Sequence, residues 1–235
     1  MHRVELEPAY ILHARPFRNT SLLIELFTRH HGRVSVVARS ARGLKSRYRG
    51  KLQLFNYLLV SWTGRSELKN LGTVEFARAP HNLTRLNLAC GFYLNELLMR
   101  LLHKEDAHAE LFDRYHSLLE QFTRAIPTEM VEGQLRLFEK YLLAALGYAL
   151  PLLHEAQQGM PIQSEQRYVF IPHRGFIVEN SMESSVLTIS GASLLALHHE
   201  TLESPSVLLE IKRLLSAVLH NYLGDKPIKS RELLA

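Results

Sequence analysis

"SLLIELFTRHHGRVSVVARS", residues Ser21 to Ser40, is the stretch whose reading decides the fold class. Two apolar or alternating runs flank His31-Gly32-Arg33, and a glycine between such runs signals a turn. The stretch therefore reads as two strands. Upstream, "AYILHARP" (Ala9–Pro16) is another short apolar run, and downstream "KLQLFNYLLVSW" (Lys51–Trp62) is a longer strand candidate. "TGRSE" (Thr63–Glu67) then turns the chain, and "LKNLGTVEFAR" (Leu68–Arg78) returns it.

Five strand-like runs in the first 78 residues, with no convincing helix among them, predict a small antiparallel barrel over residues 1–79. An OB-fold is the leading expectation, with its longest connection between the third and fourth runs. The period changes at Pro80. "LNLACGFYLNELLMRLL" (Leu86–Leu102) repeats apolar residues at threes and fours, as do "AELFDRYHSLLEQF" (Ala109–Phe122) and "EGQLRLFEKYLLAALGY" (Glu132–Tyr148). Ile126-Pro127-Thr128 precedes the third of these. A polar excursion, "HEAQQGMPIQSEQ" (His154–Gln166), leads into a hairpin, "RYVFIPHRGFIVE", turning at Pro172–Gly175. Two further helices are predicted near Gly191–His199 and Ser206–Tyr222; Leu208, Ile211, Leu215, Val218 and Tyr222 line one face of the second. The fold class is thus α+β: a barrel at 1–79, then a helical bundle domain at 80–235 with a small insertion at about 152–190.

The charge is placed unevenly. The chain carries +5 overall, yet between Leu26 and Ser66 there are nine Lys or Arg and no acid, leaving 19 basic against 23 acidic residues elsewhere. Six of the nine lie between Arg39 and Lys51, in "ARSARGLKSRYRGKLQLF" (Ala38–Phe55). Such a field points to a polyanionic partner. A solvated loop is the bland alternative, but the run is single-signed, lies on a predicted barrel and is interleaved with Tyr48, followed by Phe55, Tyr57 and Trp62. Small barrels commonly present grooves in which bases stack on aromatic rings while cations follow the phosphates. Tyr48 is the ring expected to be exposed for stacking; others must fill the barrel.

Other chemistries are disfavoured. Gly43 and Gly50-Lys51 are separated by six residues rather than four, and Leu52 follows the lysine where a phosphate loop needs a hydroxyl. The histidine pairs His30-His31 and His198-His199, and the set His103, His108, Asp106 and Glu110, match no metal-ligand spacing. No G-x-S-x-G occurs, and Cys90, the one cysteine, lies inside a helical apolar pattern as a small core residue. No catalysis, cofactor or metal is expected. The start "MHRVELEPAY" has no apolar signal core, and "YLLAALGYALPLL" (Tyr141–Leu153) falls short of the ~20 residues that span a bilayer. A soluble, cytoplasmic protein is expected.

Three segments, in order, resemble the RecO family of recombination-mediator proteins: "YILHARPFRNTSLLIELFTRHHGRVSVVARSARG" with its R-P-x-x-x-x-S-L spacing, "GFYLNELLMRLL", and the tail "LGDKPIKSRELL", very like G-x-K-P-x-K-S-R. The resemblance covers about Tyr10 to Leu234. It implies an OB-fold, a helical bundle and a small excursion between helices. It also implies binding of single- and double-stranded DNA, annealing of complementary strands, nucleoid association and partnership with RecR. Together these load the RecA recombinase, as a filament, onto DNA coated by single-stranded DNA-binding protein. Under this reading Arg39, Arg42, Lys45, Arg47, Tyr48, Arg49 and Lys51 contact DNA, and Lys226, Lys229 and Arg231 either extend that surface or dock the tail. Arg136 matches the family position that holds the acidic tail of the single-stranded DNA-binding protein, with Leu111 and Tyr115 as pocket walls. Many relatives hold zinc with four cysteines in the insertion; here there are none, so that metal is not expected and packing alone must hold the insertion. A basic OB module acting on RNA or the ribosome is the rival reading, because phosphate-tracking charge is indifferent to the sugar.

Overall fold

The computed structural model describes residues 3–80, 82–124, 127–179, 187–224 and 226–234. Ile126 of the predicted turn, residues 180–186 of the insertion and Asp225 of the tail motif lie outside the described residues. Two compact units are present, Met1–Ala125 with Pro227–Ala235, and Ile126–Lys226.

The first unit is built on a closed barrel of five strands: β1 (Arg3–Phe17), β2 (Ser21–Thr28), β3 (Gly32–Ala38), β4 (Leu58–Thr63) and β5 (Leu68–Phe76), in the order β1-β2-β3-β5-β4. This is the OB-type topology expected from the runs of alternating residues. β1 closes the barrel because it is long enough to serve two neighbours. Its first half pairs with β4 (Arg3↔Thr63 to Ala9↔Leu58), and its second with β2 (Ala9↔Thr28 to Phe17↔Ser21). The β2–β3 hairpin runs from Leu22↔Ala38 to Thr28↔Gly32, and β3 pairs parallel with β5. Gly32 is required at that turn: its φ is +64°, and an added Cβ would lie 2.0 Å from the Asp106 carbonyl oxygen.

The pleat sends alternate side chains to opposite faces. Ala9, Ile11, Ile24, Leu26, Val34, Val36, Val60 and Trp62 fill the barrel. Tyr10 and Phe27 face outward, yet they are buried too, because two helices cover that wall. These are α1 (Arg85–Leu101) and α2 (Ala109–Phe122). Tyr10 packs edge-on to Tyr115 at 5.1 Å between ring centres, and Phe27 lies 5.3 Å from Phe112. Asn95 of α1 donates to the Leu12 carbonyl at 3.0 Å and accepts from the Tyr115 hydroxyl at 2.5 Å, so one buried amide ties β1, α1 and α2 together. Cys90 is a fully buried core residue, as its place in the helical pattern predicts. α1 and α2 thus belong with the barrel, not with the later helices in a single bundle.

The second unit comprises α3 (Thr128–Ala145), α4 (Gly191–His199), α5 (Pro205–Leu223) and a small sheet ordered β7-β6-β8, with β6 Arg167–Ile171, β7 Gly175–Val178 and β8 Thr188–Ser190. Leu208, Ile211, Leu215 and Val218 are buried, and Tyr222 instead stacks on Tyr148 with ring centres 3.9 Å apart. In the insertion, the Glu155 carboxylate accepts from the backbone N–H groups of Gln157, Gln158 and Met160 at 2.6, 2.7 and 3.0 Å. Those bonds, led by that from Met160, hold its carboxyl below the usual carboxylate range. The expectation of packing alone is corrected: one carboxylate organises this loop through hydrogen bonds.

One feature of the first unit also differs from expectation. Lys51–Tyr57 does not extend β4, because Phe55 adopts φ +67° and the Lys51 carbonyl is taken by the Asn56 amide at 3.1 Å. The tail forms a 3-10 turn over Lys229–Leu234.

Candidate nucleic-acid interface

The connection from β3 to β4 carries the basic stretch, and it is not a floppy loop. Successive N–H groups close short turns: Gly43 to the Ser40 carbonyl (3.2 Å), Ser46 to Gly43 (3.0 Å), Arg49 to Ser46 (3.2 Å) and Lys51 to Tyr48 (3.0 Å). Arg42 N–H donates to the Thr20 carbonyl at 2.8 Å, tying the stretch to the β1–β2 turn.

Tyr48 is the anchor. Its side chain is 3% exposed and belongs to the barrel core, and its hydroxyl donates to the Leu71 carbonyl at 2.9 Å. The expectation that Tyr48 is exposed for base stacking is therefore corrected. A ring that plugs the barrel between β5 and the loop cannot also face a nucleotide. Phe55 and Trp62 are buried as well, and the half-buried Tyr57 stacks on Tyr10 at 5.2 Å.

The nine cations of the window divide into two groups. Arg29 grips Asp113 of α2 with two hydrogen bonds of 2.8 Å, and the bonded guanidinium holds the Asp113 carboxyl below its usual range. Arg33 donates to the Met99 carbonyl and lies 3.8 Å from Glu25. Lys51 donates to the Val74 carbonyl at 2.9 Å, and Arg47 donates to the Tyr48 hydroxyl at 2.6 Å while its guanidinium lies over the Tyr48 ring. These four brace the barrel. Arg39, Arg42, Lys45 and Arg49 are exposed and project from the turns, Arg65 is exposed in the β4–β5 turn, and Arg47 stays exposed although it is braced. Arg39 also borders an open groove of about 590 Å³ with Phe17, Arg18, Ser21, Val37 and Lys69. Arg18, outside the basic window, was not singled out from the sequence; its position in the turn bonded to Arg42 is what places it here.

The tail motif docks through its backbone. Lys229 N–H, Ser230 N–H and the Ser230 hydroxyl donate to the Glu96 carboxylate at 3.0, 2.8 and 2.7 Å, and Arg100 donates to the Pro227 carbonyl at 3.1 Å. Burial alone would raise the Glu96 carboxyl, but the bonds from Ser230 and Lys229 outweigh it and hold the group below its ordinary value. The Arg231 guanidinium lies 5.8 Å from the Tyr93 ring centre. The Lys229 side chain stays exposed, beside an apolar concavity of about 610 Å³ lined by Leu12, Leu54, Phe92, Met99 and Leu233. Lys226 is exposed in the other unit.

The residues proposed for a peptide pocket are placed differently from expectation. Leu111 and Tyr115 are 2% and 0% exposed, committed to packing α2 on its neighbours. They are not walls of an open pocket. Arg136 of α3 is 5% exposed and forms an ion pair of 2.9 Å with the fully buried Glu139, three residues on along the helix. A guanidinium expected at an accessible rim is therefore held inside by an internal carboxylate. Among the described residues no group of three or more His, Cys, Asp or Glu is arranged to hold a metal ion, and no helix is long and apolar enough to cross a membrane.

Residues 1–80 match the family model described as "Recombination protein O N terminal", and residues 83–232 match "Recombination protein O C terminal". The division falls where the sequence period changes at Pro80. A "DNA repair protein RecO" of Coxiella burnetii (strain CbuG_Q212) is 52% identical over 233 residues, covering 99% of this chain and 98% of the relative. Proteins of the same description from Nitrosospira multiformis and Nitrosococcus oceani are 40% and 43% identical, covering 99% of this chain and 95% and 93% of theirs. A basic OB-type barrel followed by helices, matched end to end by these relatives, places this chain in the RecO family of DNA repair proteins.

Proposed function

We propose that this protein binds single- and double-stranded DNA through the exposed cations of the β3–β4 connection and anneals complementary strands. The observation that carries the reading is the division of the basic window: Arg39, Arg42, Lys45 and Arg49 project together from one braced loop. Annealing requires two polyanions to approach, and a rigid cluster of cations lowers their repulsion without ordering cost at the moment of contact. The exposed Arg18 and Lys229 extend the set of cations in this unit.

The role within repair is mediation. With RecR, the protein helps load RecA onto DNA coated by single-stranded DNA-binding protein, recognising that protein's acidic tail. If Arg136 receives the tail, the terminal carboxylate must displace Glu139 from the guanidinium. The reading includes no bond-making or bond-breaking step and no cofactor; its work is binding.

The deciding experiment combines salt-dependent DNA affinity with annealing on DNA already coated by the binding protein. Neutralising Arg39, Lys45 and Arg49 together should reduce the single-strand salt slope by about two units, at ~0.7 per lost contact, and slow annealing. An unchanged slope and rate would remove the loop from the interface. Equal annealing of RNA strands would favour the RNA-directed alternative.

A further inference from the structure

Leu44 is 96% exposed, far beyond the next most exposed large apolar side chains among the described residues, Leu233 at 59% and Met160 at 57%. Solitary exposed leucines are ordinary on protein surfaces, but this one is held out by construction. It occupies a central position of the four-residue turn Gly43–Ser46, closed by the Ser46 N–H to Gly43 carbonyl bond at 3.0 Å. Central turn residues point away from the chain that the bond draws together. On one side the turn is fixed to Thr20 through Arg42 N–H, and on the other it is fixed to the barrel by the buried Tyr48. Arg42 and Lys45 flank the leucine, with Arg39 and Arg49 exposed nearby in sequence.

An apolar tip flanked along the chain by exposed cations fits a partner whose outside is anionic and whose interior is apolar and flat. Stacked bases between two phosphate chains have that arrangement, and aliphatic wedges are a known means of entering it. We infer that Leu44 is a wedge that inserts between stacked bases while the neighbouring cations hold the phosphates. The inference rests on the DNA-binding reading above and adds to it a device for loosening base stacking. Opening a step costs stacking energy, which burial of the leucine offsets in part, so the wedge acts on duplex or newly paired strands more than on unstacked single strands.

The test uses the full-length protein, oligo-dT, and duplexes carrying 2-aminopurine, whose fluorescence rises on unstacking, at successive positions. The wild type should raise the fluorescence on binding duplex. Leu44→Ser, which removes no charge, should keep oligo-dT affinity within about twofold and the same salt slope. It should lose the fluorescence rise and weaken duplex binding about tenfold, whereas Leu44→Met should retain both. Duplex binding by the wild type without a fluorescence rise, or a rise that survives Leu44→Ser, would overturn the wedge alone. Failure of the wild type to bind either DNA would overturn the wedge and the DNA-binding reading together.

Discussion

The Tyr48 hydroxyl donates to the Leu71 carbonyl at 2.9 Å from inside the barrel, so the most basic stretch of the chain is fastened at its middle to β5. Tyr48→Phe keeps the ring and leaves a carbonyl short of its donor, costing about 1 kcal/mol. Tyr48→Ala empties a core site and should cost about 3–5 kcal/mol. Urea unfolding measures both. The alanine variant should also bind single strands more weakly although no charge has changed, because the cations lose their common brace.

Docking of the tail should depend on acid. The Glu96 carboxyl is held below its ordinary value of about 4.3 in the folded protein, so its contribution is fully present above that value. It is lost as the pH falls through the lower, folded value. Protection of the Lys229 and Ser230 amides against hydrogen exchange, relative to the free-peptide rate at each pH, should be high near neutrality and fall as acid protonates Glu96. Glu96→Ala should remove the protection at every pH and cost about 2 kcal/mol.

A second pH dependence arises from His116, which lies 2.6 Å through Nδ1 from the Tyr10 hydroxyl and packs on Tyr57. Burial lowers its pKa, so the neutral ring accepts from Tyr10 and charging it opposes folding. A folded value below the unfolded one, near 6.5, means stability from this group is complete above 6.5 and declines as the solution is acidified. Thermal unfolding between pH 7 and 5 should show the decline, and His116→Gln should flatten it. The same slope in the variant would locate the dependence elsewhere.

Gly32→Ala should be costly despite its size. The new methyl would meet the Asp106 backbone, and φ +64° is a left-handed conformation. A loss of at least about 2 kcal/mol is expected from overpacking and strain together, read by chemical denaturation. Gly50→Ala, at φ +76° with nothing within 4 Å of the added carbon, isolates the conformational part alone.

How far the sequence could be read follows from how local each feature is. The β2–β3 hairpin was legible because alternation and a turn glycine both lie inside twenty residues. The helices were legible from their apolar stripes, but a stripe does not say what it packs against; α1 and α2 meet the barrel through Asn95, Tyr10 and Phe27, contacts that span the sequence. Tyr48 looked exposed because its neighbours are charged, and only closure of the barrel turns it inward. The charge count did not separate braced cations from exposed ones for a similar reason. Arg29 and Arg33 belong to the acid-free window, yet Asp113 and Met99 that engage them lie far along the chain. The Arg136–Glu139 pair is different, since an acid three residues after an arginine on a helix is a visible partner.

The seating of residues 227–234 against α1 bears on how the chain is made. The barrel and its two helices leave the ribosome before residues 227–234 do, with the Glu96 carboxylate still lacking the amides of Lys229 and Ser230. Roughly a hundred residues must follow before those amides arrive, about 5–20 s at ordinary rates of synthesis. During that interval Phe92 and Met99 have no Leu233 opposite them, and the nascent first unit presents an open apolar wall. Completion of the first unit therefore waits on a segment made only after the whole of the second unit.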